Sequence, residues 1–450
     1  MVDNIAAYTS KNPEELAQKV LQDFFTSSFV FPIDPFRLLS DYGVLYQFRE
    51  FDRLEGLYLV PDDLDDIPLV GINVNRPITR QRFTAAHELC HHLKDRETQL
   101  CPMNPRDKNS IEKFADNFAA ELLMPKSELI DYSRQFMDNN LVSLESALLI
   151  ADYFGVSFEA CVYRLAWTVK ILDGDTNKKN LQYRIRDFKP DLRKQAIGLD
   201  HHNLQLYRHI VDNYHYSQQQ SNFYWYKFKN DFIFNENRIE QLQIEEEEVA
   251  EIVTDLRLRK QDSIYCQSTH QPFIEVAGHS DMYDYISTTR DPITSFSLLK
   301  LSQLFYKYSP NPDAGGFFRT TNNYVANSKF ETLDYSQIPG SIRDLNLPIQ
   351  EALSEVNMSI SEFIQKCALI HHRITVIHPF LDGNGRISRA FLNWMFFQKG
   401  LPPIYIKHER KFDYFNALGT LDQTRSPISL CQILIEQLLV SQARLSGKRD

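Results

Sequence analysis

Twelve consecutive residues, His378-Pro379-Phe380-Leu381-Asp382-Gly383-Asn384-Gly385-Arg386-Ile387-Ser388-Arg389, combine an imidazole, a carboxylate, two glycines and two guanidiniums. An imidazole with an ordinary pKa of about 6.5 accepts a proton near neutral pH, which makes His378 a general-base candidate. Asp382 is a hard oxygen ligand of the kind that holds Mg2+ against phosphates. Arg386 and Arg389, three positions apart, share a helix face and can both turn planar, multi-donor heads to a polyphosphate. Gly383 and Gly385 let the backbone turn tightly and approach an anion closely. Together these groups describe transfer of a phosphorus-centred group to a hydroxyl. Asp-Gly-Asn-Gly is also common turn chemistry, but a turn requires neither the histidine nor the arginines.

A second constellation lies far upstream, in His87-Glu88-Leu89-Cys90-His91. Two histidines four apart on a helix point the same way and can hold one Zn2+, with Glu88 placed to deprotonate a metal-bound water. Glu112 and Asp116 share one face of a later helical run. Glu112 is the candidate third ligand, and Asp116 a candidate to orient a ligand histidine. Glu121 competes for the ligand role, although an exposed or capping position suits it better. A zinc-free fold with a sensing role is the alternative.

Periodicity outlines the elements that must position these groups. Residues 370–377 end an apolar helix and residues 386–398 form the next, stopped by Gly400 and Pro402, so the first motif is a loop feeding a helix N-terminus. The unpaired N–H groups and partial positive charge there favour a phosphate. Upstream, residues 14–25 have helical spacing, and short apolar runs at 43–46, 56–60 and 69–74 predict a small sheet. Phe83, Ala86, Cys90 and Leu93 recur at helical intervals in a helix that Thr79 can cap. Residues 147–165, with Gly155-Val156-Ser157 as the turn, predict a helix-turn-helix that lacks a basic face.

The stretch from His378 to Arg389 resembles the signature of the Fic (Fido-domain) family, His-Pro-Phe-x-Asp/Glu-Gly-Asn-Gly-Arg-x-x-Arg, at every defined position. The resemblance implies an adenylyltransferase that moves AMP from MgATP onto a Ser, Thr or Tyr hydroxyl of a target protein. It makes His378 the base and Asp382 the Mg2+ ligand. Asn384 and the amides of Gly383 and Gly385 would cradle the α-phosphate, Arg386 and Arg389 would contact the β- and γ-phosphates, and Phe380 would fix the loop in the core. Residues 80–88 followed by residues 118–125 resemble the ImmA/IrrE-type zinc metallopeptidases, with Cys90 in place of the usual glycine and so a thiol available near the metal. This second resemblance implies a protein substrate for that module.

Many Fic-family chains carry, upstream of the core, a helix with Ser/Thr-x-x-x-Glu-Gly/Asn whose glutamate pairs with the second motif arginine and blocks productive ATP binding. Glu240 falls at that glutamate, with Glu236 and Gln241 departing from the pattern on either side. A carboxylate on Arg389 competes with a γ-phosphate for one fork; an acidic, solvated helix is the plainer alternative. Residues 315–320 followed by Tyr324-Val325-Ala326 resemble the family's flap hairpin, an edge for an extended target segment, and an ordinary surface hairpin has the same pattern. Tyr414 is a candidate for the nucleotide-base pocket, although an aromatic at helical spacing more commonly belongs to the core.

With 450 residues the chain exceeds one ordinary core. The expected architecture is multidomain: an α+β metallopeptidase-like domain over 1–167, a connector over 168–221, and a mainly α-helical Fic-like domain with a β-hairpin flap over 222–445. A net charge of -10 disfavours a broad grip on nucleic acid. Scattered cysteines, a start without a basic-then-apolar pattern, and no apolar stretch long enough for a bilayer lead to the expectation of a cytoplasmic protein without a membrane partner. The alternative function is a zinc-dependent endopeptidase of a regulatory or toxin-antitoxin-like system, whose Fic-like module acts as a switch on itself or a partner.

Overall fold

A computed structural model of the chain describes residues 10–25, 29–61, 66–103, 109–197, 199, 202–213, 218–267, 271–309, 311–323 and 332–446. They form two compact units, Met1–Ile210 and Val211–Asp450. The stretch 168–221, expected as a connector, contains the helices Lys178–Phe188, Pro190–Ala196 and His202–Asn213, and the division between the units falls inside it.

The first unit is α+β. Helix α1 (Pro13–Phe24) starts on an Asn12 cap with proline in its first turn, and buries Leu16, Ala17, Val20 and Leu21 as one stripe. Strands β1 (Leu45–Arg49), β2 (Leu54–Leu59) and β3 (Leu69–Asn73) are joined by β4 (Gln99–Pro102), which the sequence pattern had not marked, in the order β1-β3-β2-β4. Only β1 and β3 run parallel.

Helix α2 (Ile78–Cys90) carries the histidine motif. Thr79 does not cap it: the helix begins after Pro77 without a side-chain cap, and Gln81 instead donates to the Val74 and Arg76 carbonyls, at 3.1 and 2.8 Å. It runs on through one π-helical turn, His91–Asp95, and stops at Arg96 with φ 52. Helix α3 (Ser110–Leu123) packs against α2, whose other side faces β2 and β3, so α2 is buried nearly all round. Gly56 permits the close approach of β2, since a Cβ there would lie 2.4 Å from Thr84 Cγ2 and 3.0 Å from Glu88 Oε1.

The helix-turn-helix forms as expected. Helices α4 (Leu144–Phe154) and α5 (Phe158–Tyr163) break at Gly155, φ 65, with Ser157 capping α5 and a bend of 113°. Its turn is anchored from inside: buried Arg82 donates to the carbonyls of Gly155 at 3.0 Å and Ile33 at 2.6 Å, and burial holds Arg82 down at about 10. Among the described residues no single helix is long and apolar enough to cross a membrane.

The second unit is mainly α-helical. Its elements include α6 (Gln218–Ile239), α7 (Gln271–Thr288), α8 (Ser297–Phe305), α9 (Ile360–Ile377), α10 (Asn384–Gln398), α11 (Lys411–Thr424) and α12 (Ile428–Ser446). Helix α10 is the hub: it is buried almost continuously from Asn384 to Phe396, and α7, α8 and α9 all pack on it. The acidic run forms the first turn of helix Glu246–Leu258, where Glu245 and Glu248 make a capping box and the charges meet the positive helix end. Of the expected flap, residues 311–323 hold one 3-10 turn, Pro312–Ala314, and no strand among the described residues. Tyr324, Val325 and Ala326 lie outside the described residues.

Candidate active site and candidate metal centre

The catalytic candidate sits at a helix-to-helix junction. A Ser359–Glu362 capping box starts α9, and His378 ends it in the left-handed region, φ 50, with its N–H on the Ile374 carbonyl at 3.0 Å. Burial, then the nearby Arg319 charge, lowers the His378 pKa, so the ring is a neutral proton acceptor at pH 7. Arg319 was not anticipated from sequence. It is buried, donates Nε to the His378 carbonyl at 2.8 Å and Nη1 to the Thr321 carbonyl at 2.8 Å, and also reaches the Leu333 carbonyl. Its backbone N–H meets Pro379 O at 2.9 Å. One guanidinium thus ties the histidine's backbone to the carbonyls of Thr321 and Leu333.

The loop after His378 closes on itself. Phe380 is buried as expected. The Asn384 side chain accepts from Phe380 N and donates to Phe380 O, both at 2.8 Å. With both ends of that amide used, Asn384 staples the loop, and what it offers a phosphate is its backbone N–H in the first turn of α10. Gly383 has φ 75 and a Cβ there would lie 2.4 Å from the Phe305 ring, so the position excludes side chains twice over. Asp382 is exposed at the rim and its Oδ1 accepts from Gly383 N at 2.6 Å.

Arg386 and Arg389 converge as the spacing predicted, and protein carboxylates meet them. Arg386 Nη1 reaches Glu275 at 2.6 Å and Asn237 at 3.2 Å, with its guanidinium 4.6 Å above the Phe305 ring. Arg389 holds Glu236 through Nε at 2.5 Å and Glu240 through Nη2 at 2.8 Å. Glu240 therefore pairs with the second motif arginine. Burial raises its pKa, but Arg389 and Arg386 outweigh that and hold the carboxyl below its usual range. A Cβ on Gly385 would lie 2.4 Å from Glu240 Oε1, which places that oxygen directly over the glycine turn. Gln241 follows at φ 66, a conformation that favours Gly or Asn. Tyr414 is core: buried, it donates its hydroxyl to His371 Nε2 at 2.6 Å, while His371 Nδ1 faces the Ser388 carbonyl at 3.3 Å and so carries the proton.

In the first unit His87, His91 and Glu112 gather as one possible ligand set. The two Nε2 atoms are 3.1 Å apart, and Glu112 oxygens lie 3.3 Å from His87 and 3.5 Å from His91. His91 Nδ1 meets Asp95 at 2.7 Å and so carries a proton, His87 Nδ1 lies 3.2 Å from Asp116 without hydrogen-bond geometry, and the two Nε2 atoms face each other. That arrangement is repulsive unless a cation or proton stands between them; tetrahedral zinc wants such nitrogens about 3.3 Å apart. Burial presses both rings toward neutrality, yet the carboxylates raise His87 and hold His91 up at about 9. The two imidazoles beside it keep Glu112 well below the carboxylate range. Glu88 is buried with both oxygens unpaired, and burial pushes it up to about 7.

Glu121 is neither exposed nor a ligand: it is buried, paired with Arg164, and accepts from Lys126 N at 3.1 Å, which is a capping role. The thiol beside the histidine motif is Cys101 of β4, which groups with His87 and Glu88, and not Cys90. Asp95, the partner of His91 at i+4, lies on the π turn.

Residues 40–166 match the IrrE N-terminal-like domain, and residues 292–396 match the Fic/DOC family. The chain carries both domains. The Fic/DOC region is similar to protein adenylyltransferase Fic of Culex quinquefasciatus, 29% identical over 156 residues, covering 33% of this chain and 29% of that protein. A Drosophila grimshawi protein of the same name is 32% identical over 111 residues, 24% of this chain and 21% of the relative. The chain thus spans less than a third of the length of these curated relatives. Among solved structures, Fic-1 from Caenorhabditis elegans aligns with TM-score 0.43 and 17% identity, covering 73% of this chain and 87% of that one. A Fic-domain signalling protein from Bacteroides thetaiotaomicron aligns with TM-score 0.41 and 21% identity, covering 55% and 97%. Glu236, Glu240 and Glu275, which meet the Fic/DOC arginines, all lie upstream of the matched stretch.

Proposed function

We propose that the second unit is a protein adenylyltransferase, moving AMP from MgATP to a Ser, Thr or Tyr hydroxyl of a target protein. The observation that carries this reading is the Glu240 carboxylate lodged between Arg389 and Gly385, the place a phosphate oxygen would take. The hydroxyl oxygen attacks the α-phosphorus as its proton passes to His378, the bond to the β-phosphate bridging oxygen breaks, and pyrophosphate leaves. The first-turn N–H groups of α10, with Arg386 and Arg389, stabilise the charge that spreads over the phosphates. Asp382 would hold Mg2+, which when bound offsets phosphate charge. Glu240 is the regulatory residue, because ATP and its carboxylate compete for one guanidinium fork.

The paired Nε2 atoms favour a second activity in the first unit, zinc-dependent cleavage of a protein substrate. His87, His91 and Glu112 would hold Zn2+, and Glu88, held near pH 7, is the proton acceptor. When bound, zinc polarises a carbonyl and acidifies water. If proteolysis is the output, AMP transfer switches the chain itself or its partner. The cytoplasm is the proposed location, supported by cysteines present as thiols. Wild type, Glu88→Gln and His378→Ala, each assayed for AMP incorporation and for zinc-dependent cleavage, separate the readings. AMP transfer surviving in His378→Ala would overturn the main one.

A further inference from the structure

Helix α6 and the residue after it bring two carboxylates four positions apart to one arginine, and the two do not meet the same part of it. Glu236 is fully buried and takes Nε of Arg389 at 2.5 Å, and the Glu236 backbone carbonyl lies 3.4 Å from Nη2. Glu240 takes Nη2 at 2.8 Å, and its side chain is 28% exposed. The point where a Gly385 Cβ would stand is 2.4 Å from Glu240 Oε1 and 3.2 Å from Arg389 Nη1. The forked end of Arg389 therefore faces the glycine turn, and its Nε edge faces the buried side of α6. A phosphate arriving at the turn can replace Glu240, which has solvent to move into. It has no access to the edge that Glu236 holds. Arg386 repeats the pattern with one buried carboxylate, Glu275, and the Phe305 ring beneath it.

We propose that Glu236 is a positioning residue for Arg389: it stays on the Nε edge throughout and keeps the fork aimed at the triphosphate after Glu240 has left. The proposal rests on the AMP-transfer reading of this site. It assigns a use to the residue at which the chain departs from the Ser/Thr-x-x-x-Glu pattern, since only a long acceptor reaches a guanidinium from there. An arginine without that anchor keeps its charge and loses its direction, and misplacement of about an ångström is worth about 100-fold in rate.

The test uses the full chain in a Glu240→Gln background, so that the competing carboxylate is gone. Glu236→Met keeps the length and removes the acceptor; Glu236→Gln keeps both length and acceptor. The Met variant should lower kcat/KM for AMP transfer and ATP affinity by about 10- to 100-fold, with affinity for AMP, which lacks the outer phosphates, unchanged. The Gln variant should restore both to within about threefold, a rescue that general loss of structure would not show. Equal ATP affinity and transfer in the Met variant and its parent would overturn the role. So would Glu236→Met alone raising transfer as Glu240→Gln does, since that would make Glu236 a second competitor. Independently of the Met variant's folding, 15N-arginine NMR of the Glu240→Gln chain should show an exchange-protected Nε–H, assigned to Arg389 by its absence in Arg389→Lys, that persists when ATP is added; its loss on adding ATP would equally overturn the role. If the Glu240→Gln chain itself neither binds ATP nor transfers AMP, the AMP-transfer reading falls and this role with it. If it does both and Glu236 makes no difference, only the role of Glu236 falls.

Discussion

The two candidate sites put the same kinds of acidic residue to opposite uses. In the first unit, Asp95, Glu112 and Asp116 surround imidazoles and raise their proton affinity, while Nδ1 contacts turn both Nε2 atoms toward one point. In the second, Glu236, Glu240 and Glu275 surround guanidiniums, and the histidines nearby are driven the other way: burial, then Arg386 and Arg389, lowers His279, and burial, then Arg389, takes His371 to about 3. A carboxylate beside an imidazole builds a socket for a cation. On the proposed AMP-transfer reading, Glu240 at the forked end of Arg389 occupies the socket of an anion and has to leave, while Glu236 keeps the Nε edge. Sites built from similar residues thus differ in the sign of what they accept.

The sharpest way to break this contrast is to remove one proton acceptor at a time. His378→Ala should cost about 10²–10⁴ in AMP transfer with zinc content unaltered, measured by incorporation of radiolabelled AMP and by elemental analysis. Next, the purified chain should carry about one zinc per molecule, His91→Ala should carry none, and Asp95→Asn should weaken zinc affinity about 10- to 100-fold; a wild-type chain that binds no zinc when it is supplied would remove the cation socket from the comparison. Glu240→Gly should raise transfer about 10- to 100-fold, the worth of one charge-assisted hydrogen bond. An unchanged rate in a folded variant would strike Glu240 from the regulatory role.

Smaller effects test how the sites are held. Arg319→Lys cannot reach several carbonyls in one plane, so kcat should drop about tenfold with KM for ATP unchanged; a change in KM alone would show that Arg319 serves the nucleotide. For pH, the sign follows from the second unit's buried histidines. Their folded pKa values lie below the unfolded value, so their contribution is full above about pH 6.5 and is lost as the pH falls and the unfolded chain takes up protons first. Each of His279 and His371 should cost about 1.4 kcal/mol per pH unit below that point. Denaturant titrations of the chain between pH 7 and pH 5 measure it, and constant stability over that range would contradict the assigned burial. The same direction of shift at His378 predicts an acid limb of the transfer profile below pH 6.5.

Much of the second site was legible because its groups are local: a helix stop, two left-handed positions and an i,i+3 arginine pair lie within twelve residues. Glu240 was placed by its motif, although nothing in its own surroundings in sequence distinguishes it from the acidic run that follows. Arg319 and Glu275 were missed for the opposite reason. Their partners lie 59 and 111 residues away, and neither helical nor strand periodicity marks an arginine whose work is to collect carbonyls. Strand β4 escaped as well, since a four-residue edge strand ending in proline has too little alternation to register.

Residue type and short-range spacing settled which groups could do chemistry: the His87/His91 pair on one helix face, the glycine turn, and the arginines one helical turn apart. Those follow from backbone geometry that any chain obeys. Tertiary packing decided which charge answers which. It brought Glu112 to the imidazoles, committed the Asn384 side chain to Phe380, and set one fully buried and one partly exposed carboxylate on Arg389. The physical reason is that electrostatic pairing acts through space and depends on burial, and neither distance nor burial is a property of neighbours along the chain.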